Sequence, residues 1–177
     1  APEQSLVYWL TGAEASCEVN ATLTNTKYDG DFIVDTKFTQ SELINGIKAG
    51  QLLFHNNSGD PYVLTDINSF TTITIYRNDD FQSNQVIRVL DQIGNDIALL
   101  FNKKHLGKSR NTSSGREGLW KDIVAHHQEL ERIEAIENFD PKKVTVEKGL
   151  TKKSVVVTDP VTPVACMEIL YMTVVVQ

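Results

Sequence analysis

The chain has 177 residues, of which 41% are hydrophobic and 23% are charged, so it carries enough apolar side chains to bury a core. Its formal net charge of -6 argues against nucleic acid as the main partner, because phosphate binding requires a basic face. No apolar run reaches the roughly 20 residues that a membrane-spanning helix needs, so direct membrane binding is not expected. Cys17 and Cys166 lie far apart, outside any metal-binding pattern, which predicts two reduced thiols.

Residues 1–82 are predicted to be mainly β structure with one short helix. The apolar run at residues 7–10 indicates a first strand, and residues 32–38 place apolar and β-branched side chains on one face at period two. The motif at residues 39–42 matches a capping box, so a helix should begin there and end at Gly50. Three further strands are predicted at residues 51–55, 62–67 and 71–76.

Residues 83–140 are predicted to form two long helices, because apolar side chains recur at helical spacing along both. Gly107 should end the first helix, a capping box at Ser114 should begin the second, and Asp140-Pro141 should stop it. The predicted buried face of the first helix consists of Val86, Val89, Leu90, Ile93, Ile97, Leu100 and Phe101, and that of the second of Leu119, Trp120, Ile123, Val124, His127, Leu130 and Ile133.

Residues 141–177 return to β structure, with a hairpin predicted from strands at 144–147 and 154–158. A long last strand follows, and both of its faces are apolar, so both should be covered. Either this strand lies in the chain's own sheet, which the residues alone favour, or a neighbouring subunit pairs with it. The strand consists of Ile169, Leu170, Tyr171, Met172, Thr173, Val174, Val175 and Val176.

The order of these elements indicates the fold class. Strands at both ends of the sequence with helices between them predict an α+β fold of two layers, in which a mixed β-sheet packs against the two long helices.

Few side chains suggest chemistry. His127 and Glu131 are four residues apart, but no third metal ligand is placed nearby, so His127 and the adjacent His126 are expected to be core and flanking side chains. Residues 78–80 lack the spaced oxygen ligands of a calcium loop and are expected to form a turn. Neither a nucleophile-and-base pattern nor a phosphate-binding loop is found, so no catalytic residue, cofactor or metal site is predicted.

One positive cluster stands out at the end of the first long helix and in the loop after it. By position it is a solvated helix end, where cations suit the helix dipole. The alternative is a docking patch for an acidic surface. This basic cluster consists of Lys103, Lys104, Lys108 and Arg110.

Short motifs are spaced along the chain from about Trp9 to the C-terminus. The clearest are residues 8–15 (YWLTGAEA), 28–30 (YDG), 54–59 (FHNNSG), 66–71 (DINSFT), 84–93 (NQVIRVLDQI), 136–139 (IENF) and 161–174 (VTPVACMEILYMTV). In their order and spacing they resemble the tail sheath proteins of Gram-positive prophages and phage-tail-like particles.

This resemblance implies a structural polymer subunit and not an enzyme. Sheath subunits stack as rings in a helical tube around an inner tail tube and contract to drive that tube through a cell envelope. The implied partners are other copies of the subunit, the tail tube protein and the baseplate. The implied location is a virion or phage-tail-like particle assembled in the bacterial cytoplasm.

The resemblance also bears on individual residues. Sheath subunits use extended arms that add strands to neighbouring sheets, which favours pairing of residues 169–176 with a neighbour. The basic cluster becomes a candidate contact with the tail tube.

The resemblance makes residues 1–177 a single C-terminal core domain of a sheath subunit. The chain starts at Ala1 without an initiator methionine, which predicts a fragment whose N-terminal arm and other domains are missing. Two alternatives stay open: a baseplate or adaptor protein that uses the sheath core, and a ligand-binding domain or enzyme with its site at the helix–sheet edge.

Overall fold

The computed structural model describes residues 1–176 and contains helices and short antiparallel hairpins. By their internal contacts the residues divide into two compact units: a first unit of residues 1–87 and 165–176, and a second unit of residues 88–164. No described helix is both long and apolar enough to cross a membrane. The helices are α1 (Gln4–Ser16), α2 (Gln40–Lys48), α3 (Asn84–Leu100) and α4 (Ser113–Arg132), and the strands are β1 (Phe54–Asn57), β2 (Asp60–Val63), β3 (Thr145–Lys148) and β4 (Val155–Thr158).

The predicted α+β class is confirmed, but the predicted single mixed sheet is wrong. Residues 1–176 contain two separate two-stranded antiparallel sheets, β1–β2 and β3–β4. In register, Phe54 is opposite Val63 and Thr145 is opposite Thr158. Each hairpin forms from neighbouring residues around a short turn, and local pairing of this kind needs no third strand.

The first unit departs most from the prediction of mainly β structure. Residues 7–10 lie in the middle of α1, because Leu6 and Trp9 are three residues apart and pack together against a core of Tyr28, Phe54 and Val63. The indole Nε1 of Trp9 also donates a hydrogen bond of 2.6 Å to Asp29. The short apolar run is therefore a turn of helix and not a strand, with Trp9 on the packed face and Val7 and Tyr8 exposed.

Two other predicted strands in the first unit are also wrong. Residues 32–38 form no strand, since residues 25–28 already occupy the outer edge of β2 through backbone bonds to Pro61 and Val63. Residues 71–76 hold only a tight turn with one bridge, between Thr74 and Arg77. The strands predicted at 51–55 and 62–67 exist as β1 and β2, but both are shifted toward the turn between them and overlap the predicted ranges only at residues 54–55 and 62–63.

The short helix of the first unit forms as its sequence predicts. Thr39 accepts a hydrogen bond from the backbone of Glu42, and the Glu42 carboxylate accepts one from the backbone of Thr39, which completes the capping box. At the other end Gly50 has a φ of +71°, and its N–H and that of Gln51 satisfy the last helical carbonyls.

In the second unit both long helices are confirmed, with corrected ends for α4. Thr112, not Ser114, caps the start, because its hydroxyl accepts the N–H of Gly115. The helix ends at Arg132 and not at Asp140-Pro141. Glu134 takes the left-handed conformation (φ +59°), and the turn brings Ala135 and Ile136 into the core.

The predicted hairpin at the end of the second unit is confirmed as β3–β4. It packs on α4 around a core of Leu119, Ile123 and Val144. The indole of Trp120 donates a hydrogen bond of 3.0 Å to the carbonyl of Val144, which fixes α4 to the start of the hairpin. Trp120 is thus a tertiary anchor as well as part of the buried face.

Candidate assembly interface

The last eight described residues, 169–176, form a C-terminal segment that belongs to neither a helix nor a strand. The prediction that they lie in the chain's own sheet is therefore wrong. Their apolar side chains are largely exposed, from 73% for Ile169 to 93% for Val176. Exposed β-branched and aromatic side chains on an unpaired extended backbone are the features of a strand that lacks its partner.

The residues just before this segment are held in place. Residues 162–164 bond to the backbone of residues 135–137 within the second unit. In the first unit, the backbone N–H of Cys166 donates to Gln85, and the Glu168 carboxylate accepts hydrogen bonds from Thr24 and Thr65. The change from held to free backbone therefore falls between Glu168 and Ile169.

Prediction from sequence missed Gln85 and Glu168 as functional residues. Glu168 is the one charged residue between Pro160 and Val176, and a single carboxylate inside an apolar stretch was a signal that could have found it. Gln85 precedes the apolar face of α3 and carries no comparable signal, since a glutamine near a helix start is ordinary.

The basic cluster is brought together at the end of α3, where a π-helical turn (Phe101–His105) continues the helix. The Lys104 ammonium lies 2.8 Å from Asp122 of α4, and that hydrogen bond, more than the one from His105, holds the pKa of the Asp122 carboxyl below its ordinary value. Lys108 donates to the carbonyl of Lys103 and so caps the turn. Lys103 and Arg110 are exposed and form no ion pair within residues 1–176.

A small cavity of about 110 Å³ opens beside the basic cluster in the second unit. Its lining includes the cationic Arg110, Arg116 and Lys153 together with the apolar Phe101 and Leu119. Arg116 already donates hydrogen bonds to Asn111. A lining that combines cationic and apolar side chains suits an acidic side chain of a partner.

The histidines of α4 take the places predicted for core and flanking side chains. His127 is fully buried and its Nε2 lies 2.8 Å from Asp159, while His126 is part-buried and its Nε2 lies 2.9 Å from Asp96. Burial raises the pKa of Asp96, but hydrogen bonds from Gln92 and His126 bring it below its ordinary value overall. No cluster of three or more potential metal ligands exists among the described residues.

The remaining sequence candidates also have structural roles. Residues 79 and 80 begin a short 3-10 helix (Asp79–Gln82) that precedes α3, and Asn78 is its N-cap residue, so a helical turn replaces the simple turn predicted at residues 78–80. Glu131, the second residue of the metal candidate pair, accepts the backbone N–H of Phe139. Cys17 and Cys166 form no disulfide within the described residues.

Comparison with known proteins identifies the family. The model of the phage tail sheath C-terminal domain matches residues 77–177, which is more than half of the chain. The chain belongs to this family. A tail sheath protein of Clostridium phage phiCD119 is 28% identical over 58% of the chain. Protein YqbK of Bacillus subtilis is 30% identical over 98% of the chain.

Solved structures agree with this family assignment. The sheath tail protein from Desulfitobacterium hafniense superposes with a TM-score of 0.79 at 32% identity over 89% of the chain. Lin1278 from Listeria innocua, also a sheath tail protein, gives a TM-score of 0.80 at 26% identity. The helical sheath of the anti-feeding prophage in its contracted state shares the fold alone, with a TM-score of 0.73 at 14% identity.

The matches also define how much of the relatives the chain represents. It spans 39% of the length of YqbK and 37% of the Desulfitobacterium hafniense chain. The family nevertheless indicates a structural role for the chain as part of a phage-type tail sheath.

Proposed function

We propose that residues 1–177 are the C-terminal core of a subunit that polymerises with its own copies around an inner tail tube. The polymer attaches to a baseplate, contracts and drives the tube through a cell envelope, and the chain has no catalytic activity. Its location is a virion or phage-tail-like particle that assembles in the bacterial cytoplasm. The observation that carries the proposal is the C-terminal segment, whose eight described residues are exposed and form no strand with the rest of the described chain.

Pairing of the C-terminal segment with a neighbouring copy is favourable for physical reasons. Strand addition satisfies the free backbone groups of the segment, and its apolar side chains contribute about 25 cal/mol for each Å² that they bury. Because the segment forms no sheet in its own unit, no intramolecular pairing has to be broken first. These features support strand exchange between copies as the link that holds the polymer together.

We expect the β3–β4 hairpin to accept this strand, because it offers two outer edges. In the first unit residues 25–28 already cover the outer edge of β2 and leave only that of β1. Within residues 1–176, no other segment forms backbone hydrogen bonds to the outer edges of β3 or β4. Residues 155–157 of β4 are all valines, so the edge also matches the β-branched composition of the incoming strand.

The basic cluster supports contact with the tail tube. Within residues 1–176 Lys103 and Arg110 form no ion pair, whereas Lys104 pairs with Asp122. We expect Lys103→Glu together with Arg110→Glu to weaken attachment of the polymer to the tube, because reversal of rim charges repels an acidic partner surface. Lys121→Glu, at an exposed position on α4, is the matched control, and unchanged cosedimentation of polymer and tube in the double variant contradicts the contact.

The main test compares deletion of residues 169–176 with Met167→Ala in the longest natural protein that contains this chain. Negative-stain microscopy and size exclusion measure tube formation. We expect long hollow tubes from the unaltered protein and from the Met167→Ala control, whose side chain is fully exposed. We expect only small species from the deletion, with an unchanged melting temperature, because the deleted side chains contribute little to the monomer.

Each outcome of this test has a distinct meaning. Tubes that form without residues 169–176 contradict strand exchange through this segment. If the unaltered protein forms no tubes under any condition but binds a baseplate, the polymer proposal is wrong and the adaptor alternative is correct. Turnover of a small molecule that depends on residues around the cavity would favour the enzyme alternative.

A further inference from the structure

The base of the C-terminal segment is held by a glutamine that is almost fully buried. Gln85, at the start of α3, is 3% exposed. Its Oε1 accepts the backbone N–H of Cys166 at 3.0 Å, and its Nε2 donates to the carbonyl of Asn20 at 3.1 Å. A buried amide is costly unless both of its ends are satisfied, so the Gln85 side chain holds residue 166 against the loop at residue 20.

A carboxylate makes a second attachment two residues later. The two oxygens of Glu168 accept hydrogen bonds from the hydroxyl of Thr24 at 2.6 Å and from that of Thr65 at 2.7 Å. Hydrogen bonds to an ionised carboxylate are stronger than those between neutral groups. Thr24 is itself fixed, because its hydroxyl accepts the backbone N–H of the buried Asp66.

The hydrogen bonds that hold residues 166 and 168 have no counterpart from Ile169 to Val176. Ile169 is 73% exposed, and residues 169–176 form no hydrogen bond with the described part of the chain. All of the attachments lie within the first unit. The exposed segment therefore starts from a defined point on a folded surface.

We propose that Gln85 and Glu168 are positioning residues that clasp residues 166–168 to the first unit and so fix the point at which the C-terminal segment leaves. This inference rests on the proposed strand exchange and adds its geometry. Eight extended residues reach about 26 Å at roughly 3.3 Å each. If the last four of these residues pair with a neighbour, the first four must span the gap. The acceptor strand edge must therefore begin within about 13 Å of Glu168.

A clasp of this kind has a thermodynamic consequence for assembly. Without it, residues 166–168 lose backbone freedom only when the segment binds, and this loss of conformational entropy opposes binding. With the clasp, residues 166–168 lose this entropy when the chain folds, so the segment is preorganised for binding to a neighbour. The variant Glu168→Ala should therefore slow or weaken tube formation but leave each unit folded.

The experiment is amide hydrogen exchange on the monomeric chain, measured residue by residue. We expect the Cys166 amide to be protected at least tenfold more than the amides of Tyr171 and Thr173. Gln85→Ala should abolish this difference, and Glu168→Ala should reduce it several-fold, whereas Met167→Ala should leave it unchanged. Thr65→Val removes one donor to Glu168 and keeps the shape of its side chain, so it tests the clasp without a change in the carboxylate.

The exchange experiment separates the clasp from the proposed function. Equal exchange rates at Cys166 and Tyr171 in the unaltered chain overturn the clasp, as does an unchanged Cys166 rate in both Glu168→Ala and Thr65→Val. If strand exchange is wrong, the step in protection at residue 168 remains, and tubes form without residues 169–176. If the clasp is wrong, the step is absent, and the deletion of residues 169–176 still prevents tubes.

Discussion

The Nδ1 atoms of His126 and His127 lie 3.1 Å apart, so the two neighbouring rings share one hydrogen bond. Each ring also meets a carboxylate through its Nε2, Asp96 for His126 and Asp159 for His127. The result is a continuous polar chain from α3, across α4, to the residue after β4, inside the second unit. A connected network in a low-dielectric core is stabilising while it is complete and costly once a member is removed.

Removal of either histidine should therefore have unequal effects. His127 is fully buried and packs against Phe139 at a ring distance of 5.1 Å, and the Oδ1 atom of its partner Asp159 already lacks a hydrogen bond within the described residues. We expect His127→Ala to lower the free energy of unfolding by about 3 kcal/mol, since it leaves a carboxylate without its partner. The part-buried His126, changed to Ala, should cost about 1 kcal/mol.

Urea unfolding followed by the fluorescence of Trp120, in a Trp9→Phe background, measures both histidine variants in the second unit. Equal losses for His126→Ala and His127→Ala would show that burial does not decide the contribution of this network.

The start of α4 offers a direct test of its cap. Thr112→Ala should cost about 1 kcal/mol, because the Gly115 N–H loses its acceptor. Ser114→Ala should change the stability by less than about 0.5 kcal/mol, because Ser114 already lies within the helix. The same fluorescence measurement compares the two variants. If Ser114→Ala lowers the free energy of unfolding more than Thr112→Ala does, Ser114 is the cap, as the sequence predicts, and Thr112 is not.

Asp122 should make the second unit less stable in acid. Its pKa is lowered in the folded chain, chiefly by the hydrogen bond from Lys104, so its contribution is present above the unfolded value of about 3.9 and is lost as the pH falls through the folded value. Asp122 is 27% exposed, and solvent screening keeps this contribution near or below about 1 kcal/mol.

Asp122→Asn should accordingly flatten the stability curve between about pH 5 and pH 3. The control is Asp91→Asn, which removes an exposed carboxylate of α3. Thermal unfolding at a series of pH values distinguishes the two variants. If the stability of Asp122→Asn falls with decreasing pH as steeply as that of the unaltered chain, Asp122 does not cause the loss of stability in acid.

Two glycines of the first unit should respond to alanine in opposite directions. Gly50 has a φ of +71°, and an added Cβ would meet Cα of Ser69 at 2.9 Å, so Gly50→Ala should cost more than about 1 kcal/mol. Gly12 lies inside α1 with open space around it, and Gly12→Ala should stabilise by about 0.5–1 kcal/mol. Urea unfolding followed by Trp9 fluorescence, in a Trp120→Phe background, measures both. A loss of stability in Gly12→Ala would contradict the assignment of α1 as a helix.

The two helix ends show what made a prediction succeed or fail. Gly50 and Glu134 both take the left-handed conformation and close their helices with the same pattern of backbone bonds. Glycine adopts the left-handed conformation readily because it lacks a Cβ. Gly50 in the sequence therefore made the end of α2 predictable. A glutamate does not, and α4 ends at Arg132 only because the turn buries Ala135 and Ile136.

The features that were predictable from the sequence arise from local interactions and repeated spacing. These are the α+β class, the buried faces of α3 and α4, the Thr39 capping box, the β3–β4 hairpin and the resemblance to tail sheath proteins. Hydrophobic periodicity, caps and turns act over a few residues, so they can be read without knowledge of distant partners.

Features that depend on residues far apart in the chain became visible in the folded structure alone. The run around Trp9 is a helix because Tyr28 and Phe54 form the surface that buries its side chain. The clasp exists because Glu168 meets Thr24 and Thr65 across more than 100 residues of sequence. The C-terminal segment has the composition of a buried strand, and no local rule could show that the chain leaves it unpaired. Which segment occupies a sheet edge is a competition between distant parts of the chain, and only the folded arrangement settles it.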